Sequence, residues 1–378
     1  VDAGIIKRYT KEPDFSKYEM VYSGPIFYVS NPLYKEPKKD CKLNSDYDAI
    51  NLSGISADFF ARTNYVPIIP IKDYVNLFKG FPKQNADGIT SYGQWIDYYK
   101  IGFRKMVGSA AERTLICAVL PRRTAHIHGV ISISFLDRNY TVDMAALCSS
   151  IVMDFYWKTI ATQNITESRL ATFPFGIKKK FKSAMYSRTL MLNCLNKYYD
   201  DLWSGCWCES FRTDSWSLED ARLKPFSELT PSWNHDTPLR NHFERRQALV
   251  EIDVLAAMSF GLSLEDLEFI YDIQFPVLRQ NEDDTWYDQK GNVVYSVSLC
   301  KKGVGVDRAT WNTIRGKQLS DNIYQGATSS YIHTVPVEKS ELYGGELVTY
   351  YAPYTRCDRI ADYRRAWAYF EERFKNED

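Results

Sequence analysis

Six consecutive apolar residues, Leu115-Ile116-Cys117-Ala118-Val119-Leu120, end abruptly at Pro121. The next stretch is polar and basic, with Arg122, Arg123, His126 and His128, and it leads to a second β-rich run from Val130 to Leu136. Proline cuts the first run and branched residues dominate the second, so the pattern predicts a strand, a loop and a strand. A chain built on this unit has to form a sheet, and the sheet carries a loop with two guanidiniums and two imidazoles. On a rigid scaffold such a loop suits a partner rich in acceptors, either phosphates or base edges. The plainer alternative is a solvated hairpin end whose histidines hydrogen-bond their own backbone.

At 378 residues the chain is expected to form two or three packing units, on a scale of about 150 residues each. Hydrophobic residues at 45% and charged residues at 25% fit a soluble globular protein, whereas 15% aromatics, including 27 tyrosines, is high. Lys+Arg and Asp+Glu both number 47, so any basic surface has to be local and offset elsewhere. The eight cysteines, at 41, 117, 148, 194, 206, 208, 300 and 357, lack the paired two-residue spacing of a zinc site, and Cys206-Trp207-Cys208 is too tight for one ion. Several lie in apolar runs, which predicts reduced thiols and a cytoplasmic protein. Sequons at Asn51, Asn139 and Asn164 carry little weight, because such triplets arise by chance. Without a signal peptide or about 18 apolar residues in a row, neither export nor a membrane span is expected. A first residue of Val1 rather than Met points to a piece of a longer protein.

In chain order, residues 17–34 read as two strands joined at Ser23-Gly24-Pro25 and closing on Asn31-Pro32-Leu33-Tyr34. That ending is similar to the Asn-Pro-Pro-Tyr with which amino-group DNA methyltransferases hold a flipped base. Leu33 replaces the second proline and no glycine-rich nucleotide loop precedes it, so a turn is the expected role. Residues Lys35 to Lys42 form a basic-leaning loop. Arg62, Asn64 and Tyr65 follow an aromatic pair, and Arg and Asn are the side chains best shaped for guanine and adenine edges; the commoner fate of such residues is a structural loop. Residues 82–91 look like a loop, residues 94–106 carry Ile96, Tyr99, Phe103 and Met106 at helical spacing, and residues 143–161 form a second helix. Lys178, Lys179, Lys180 and Lys182 make either a solvated face or a phosphate track. Further helices are expected at about 187–203, over 241–260 as an amphipathic element stopped by Gly261, after Ser263, and over 358–374. A hairpin is expected around 289–292.

Together, three groups of segments resemble a known family. Phe60-Ala61-Arg62-Thr63-Asn64-Tyr65, the run Ala111 to Ile116 feeding Leu120-Pro121, and Leu249 to Asp253 with Phe260-Gly261-Leu262 and Phe275-Pro276-Val277-Leu278 resemble the C-terminal halves of large adenine-specific DNA methyltransferases. Those belong to type II restriction-modification enzymes with a fused methylase and to related phage-defence systems. Tyr363 to Glu371 resembles the family's closing segment. The resemblance covers most of residues 17–375. It implies a target recognition domain followed by a helical C-terminal part, with the catalytic methylase core lying N-terminal to this region.

The expectations are therefore an α+β chain with a mixed-sheet, target-recognition-like domain over 1–185 and a mainly helical part with a small hairpin over 186–378. The resemblance implies double-stranded DNA and the methylase core of the same protein as partners, with S-adenosylmethionine bound by that core and no cofactor or metal held here. No acidic pair with a nearby lysine marks a nuclease; Asp283-Asp284 and Lys290 bracket the hairpin. Phosphates would meet Lys178, Lys179, Lys180 and Lys182, while Arg62, Asn64, Tyr65, Arg122, Arg123, His126 and His128 would read bases. Rival readings are a methyltransferase with a degenerate Asn31 to Tyr34 site, and a non-catalytic interaction scaffold rich in aromatics.

Overall fold

The computed structural model describes residues 4–11, 20–84, 90–106, 108, 111–160 and 164–376. It is a mixed α+β structure with several small sheets. Strand Lys100–Arg104 is the middle of a three-stranded antiparallel sheet, flanked by Cys117–Leu120 and Val130–Ile133. Leu115, Cys117 and Val119 pack into a cluster of helices, while Ile116, Ala118 and Leu120 face a second cluster with Met20, Tyr22, Ile26 and Phe27. The apolar run is thus a strand buried on both faces, which is why it shows no alternation of polar residues. Short strand Ala125–His126 pairs in parallel with Val21–Tyr22 and ties the basic loop to the N-terminal segment.

The helix expected over 94–106 is a strand instead. Gly102 opposes Ala118 and Ser132, and a Cβ there would lie 2.6 Å from the Leu120 side chain. Met106, the last member of the supposed apolar stripe, is 75% exposed, so its helical spacing is accidental. Residues 79–94 are also not a simple loop, for Lys79–Gln84 pairs with Thr90–Gln94. Residues 85–89 of the expected loop lie outside the described residues, as do residues 17–19 of the first expected strand.

The expected helix over 143–161 begins earlier and is two helices, Arg138–Ser149 and Ile151–Ile160. Ser150 takes an extended conformation between them, and Arg113 fills the break. Its Nη2 donates to the carbonyls of Ser149 and Ser150 at 2.9 and 3.1 Å, and its Nε pairs with Asp154 at 2.7 Å. The helix expected at 187–203 runs over Lys179–Asn193, after which a turn and a short helix, Asp200–Gly205, complete the segment. Asn193 ends it by turning its side-chain oxygen to the Val119 N–H at 3.0 Å. Residues 185 and 186, the expected junction between domains, sit inside this helix, whose buried apolar residues belong to a cluster drawn from residues 99–374.

Helix His242–Phe260 lies at the centre. It starts at the expected place, on a capping box of Asn241 and Glu244, and Gly261 at φ 76° ends it, as the sequence predicts. It is not amphipathic: Glu244, Arg245, Arg246, Glu251 and Asp253 are all buried. Each is met by a partner. Arg188 reaches Glu251 and also Asp214 at 2.8 Å; Arg359 meets Asp253 at 2.8 Å; Arg246 binds Glu282 at 3.0 Å and Asp362 at 2.7 Å. Arg245 donates to the carbonyls of Leu192, Leu239 and Ser30 at 2.9 to 3.0 Å. Capped helix Leu264–Gln274 and closing helix Arg359–Arg373 pack beside it.

The C-terminal part is less helical than expected. Beside the anticipated pair Trp286–Tyr287 and Val293–Tyr295, strands Tyr354–Arg356, Ile323–Tyr324 and Gln318–Ser320 complete a five-stranded antiparallel sheet. A separate hairpin joins Ser330–Thr334 to Leu347–Tyr351. Among the described residues no helix is long and apolar enough to cross a membrane.

Because Arg188 sits among groups with no exposure, Arg188→Leu should strand Glu251 as an uncompensated buried charge and leave Asp214 with Arg373 alone. A loss of about 3 to 5 kcal/mol in unfolding free energy, measured by urea denaturation, is expected.

Candidate nucleic-acid interface

The turn at Tyr28 to Asn31 sets up the site. Tyr28 and Asn31 exchange backbone hydrogen bonds at 2.8 and 3.1 Å, forcing Ser30 to φ 49°. The Ser30 carbonyl is held by Arg245 at 2.9 Å and its N–H by the Cys117 carbonyl at 2.9 Å. Asn31 Oδ1 accepts the Leu33 N–H at 3.0 Å, which is the turn role the sequence predicts. The consequence is a pair of stacked rings, Tyr28 and Tyr34, with centroids 4.9 Å apart.

These rings stand in a cleft of about 620 Å³. Its described lining includes Arg8, Lys35, Lys42, Arg104 and Lys302, together with Tyr28, Tyr34, Tyr47 and Tyr65, and no Asp or Glu. Arg8 is anchored by donating to the Lys42 carbonyl at 2.8 Å. The Arg104 guanidinium lies 5.8 and 5.4 Å from the Phe27 and Tyr28 rings and donates to the Phe27 carbonyl. Its Nε is buried without a hydrogen-bond partner among the described residues. Lys302 donates to the Tyr34 hydroxyl at 3.2 Å, and Lys35 lies 5.6 Å from the same ring. Nearby carboxylates are held at the margin, Asp40 by Lys42 at 3.1 Å and Asp48 by Lys38 at 3.8 Å.

Crowded positive charge leaves a titration signature. Burial, reinforced by Lys302 and Arg104, lowers the Lys35 pKa to about 8. Burial likewise lowers that of Arg104. A site that disfavours its own cations gains from an anion, which restores what desolvation and mutual repulsion remove. Stacked rings beside clustered cations are also how proteins meet unpaired or exposed bases next to a phosphate backbone.

The sequence-predicted residues divide. Tyr65 lines the cleft, and Ile127 and Gly129 bring His128 to its edge, where Lys105 meets the imidazole at 2.8 Å. Asn64 is only 3% exposed; its amide bonds Cys41 and Tyr47, so it supports the wall from behind. Arg62 is half-buried and its backbone N–H donates to Glu36 at 3.0 Å. Arg122 and Arg123 pair with Asp201 at 2.7 Å and Asp97 at 2.9 Å and do not line the cleft. His126 is half-buried and bonds the Ile127 carbonyl and Ser132, close to the plainer reading of that loop; burial lowers its pKa.

Lys179, Lys180 and Lys182 occupy the first turn of helix Lys179–Asn193, with Lys178 as its cap. Lys178 bonds the Met258 carbonyl and Lys182 bonds Asp143, both at 3.2 Å. None of the four lines the cleft. Arg8, Tyr28, Arg104 and Lys302 belong to the site without being marked by the sequence reading. The basic loop at 35–42 is a usable signal, and it supplies Lys35 and Lys42. Arg104 is hidden by the helical spacing of its segment, and Lys302 arrives from 268 residues beyond Tyr34.

The described residues contain no cluster of His, Cys, Asp and Glu suited to a metal ion. No protein-family model, no curated protein and no solved structure matches the chain.

Lys35 should lose half its charge near pH 8, well below an ordinary lysine. Acylation followed by mass spectrometry should therefore label it faster than exposed Lys42 at that pH per unit of accessible amine. Removing its charged neighbour with Lys302→Ala should raise its pKa and slow the labelling.

Proposed function

We propose that this chain is a DNA-recognition module of an adenine-specific DNA methyltransferase or restriction-modification protein. The methylase core, with its S-adenosylmethionine site, lies outside the chain. The observation that carries this reading is the cleft, in which five cations and four tyrosines line one surface without a carboxylate among the described residues. Within a chain of zero net charge, five cations gather on this one surface, a local basic patch of the kind a polyanion site needs. The family resemblance supplies DNA as the polyanion and adenine methylation as the context.

The work divides differently from what the sequence alone suggests. Phosphates meet Arg8, Lys35, Lys42 and Lys302, while Tyr65 and the His128 edge face the grooves. Arg122 and Arg123 contribute after exchanging Asp201 and Asp97 for DNA, since exposed pairs of this kind cost about 1 kcal/mol or less to break.

Fluorescence anisotropy with a duplex over a salt series tests this. Binding should weaken with salt at a slope of roughly −0.9 per phosphate neutralised, and Lys42→Ala should reduce the slope by about 1 on every sequence. No duplex binding at low salt would instead favour an interaction scaffold. Tight binding of S-adenosylmethionine by this chain in calorimetry would overturn the proposal in favour of a methyltransferase acting at Asn31 to Tyr34.

The pH dependence comes from Lys35. Protonated Lys35 binds phosphate, so affinity should be steady below about pH 8 and fall above it. Lys35→Arg should keep binding level across that window.

A further inference from the structure

The cleft adjoins further half-open cavities. Tyr28, Tyr34 and Lys302 form a partition, since each lines both the outer cleft and an inner cavity of about 210 Å³. His242, Val293 and Lys302 then border a second inner chamber of about 300 Å³. That chamber lies between residues 49–53, the first turn of helix His242–Phe260, the turn Gly303-Val304-Gly305 and the hairpin Ser330–Thr334/Leu347–Tyr351. Lys302 borders every one of these spaces.

The chemistry changes from outside to inside. The cleft is cationic, but the chamber sets Ile50, Val304 and Val348 against His242, His333 and Asn51. His242 exposes its surface to the spaces it lines rather than packing against side chains. Among the described residues neither imidazole has a hydrogen-bond partner, whereas hydrogen bonds engage most buried polar groups of this chain. Desolvation lowers both pKa values, that of His242 to about 4 with help from Arg245, so both rings are neutral at pH 7. Each offers one donor and one acceptor into the space. Glu346 also borders the chamber, so an anionic group is disfavoured at that end and favoured at Lys302. An apolar slot with a few neutral, unspent hydrogen-bonding groups suits a flat heterocycle, and a single amine at its mouth suits the attached phosphate.

We propose that this chamber binds one nucleotide, with the base between His242 and His333 and the phosphate on Lys302. The nucleotide is either a base everted from DNA in the outer cleft or a free mononucleotide; the first rests on the DNA-binding function proposed for the cleft and the second does not. Eversion would cost a few kcal/mol of stacking and pairing, and contacts in the chamber would offset it.

The test uses the full chain with two probes. One is a duplex carrying 2-aminopurine, whose fluorescence rises when it leaves the stack; the other is the four 5′-mononucleotides in calorimetry. His242→Leu should fold normally, because the ring makes no hydrogen bond to the described residues, and should weaken nucleotide binding about tenfold. His242→Gln should restore much of it, which a merely structural role would not do. A fluorescence rise abolished by His242→Leu supports an everted base. Mononucleotide binding with the same dependence, without that rise, supports a free nucleotide, and it does so even if duplex binding is absent. Duplex binding with neither signal overturns the chamber assignment and leaves the DNA reading intact. Absence of all three overturns both.

Discussion

A charge removed from water has to be met by another, and this molecule is arranged around meeting the charges of one helix. Helix His242–Phe260 carries five ionisable residues into the interior. Their charged partners are Arg188, Glu282, Arg359 and Asp362, and Asp214 shares Arg188 with the helix. Apolar packing would tolerate a helix sliding or turning by a residue; a set of paired guanidiniums and carboxylates does not, since any shift strands several charges at once. The lattice therefore acts as a register for the surrounding helices. The same logic reaches the sheet, where Arg113 joins Asp154 and closes the break at Ser150 while Asp253 caps the Ile151 N–H at 2.8 Å.

Arg245 is the exception that links this core to the surface. It has carbonyl oxygens rather than a carboxylate as its hydrogen-bond partners, and burial lowers its pKa to about 10. One of those carbonyls belongs to Ser30, in the turn that displays Tyr28 and Tyr34. The stacked rings of the cleft thus owe their position to a charge in the central helix. This is a positioning role, and it explains why a non-glycine residue can hold a left-handed backbone there.

What can be read in the sequence is local. Gly261, the helix starts at Asn241 and Ser263, the Pro121 stop and the Gly291-Asn292 turn all act within a few residues, and each lies where expected. The 94–106 segment misleads because four apolar residues at helical spacing outweigh Gly102, whose reason lies in a cross-strand neighbour. The central helix looks amphipathic because Arg, Glu and Asp usually mark a solvated face, and nothing nearby in the chain announces partners more than 100 residues away, such as Arg359 for Asp253. For the site, basic residues point to a charged surface but to other members of it. The lysines at 178–182 catch the eye as a run, yet the cleft collects its cations from four separate stretches of chain.

Lys302 gives that scattering a further meaning. It completes a surface begun by residues 8 to 65, which depends both on the central helix holding the turn at Ser30 and on the C-terminal sheet placing the loop before Gly303. The cleft is therefore a product of the whole fold rather than a property of any segment. A nascent or cleaved chain would present its basic residues dispersed, with little hold on a polyanion. Affinity for such a partner becomes a report that the molecule has been built through to its closing helix.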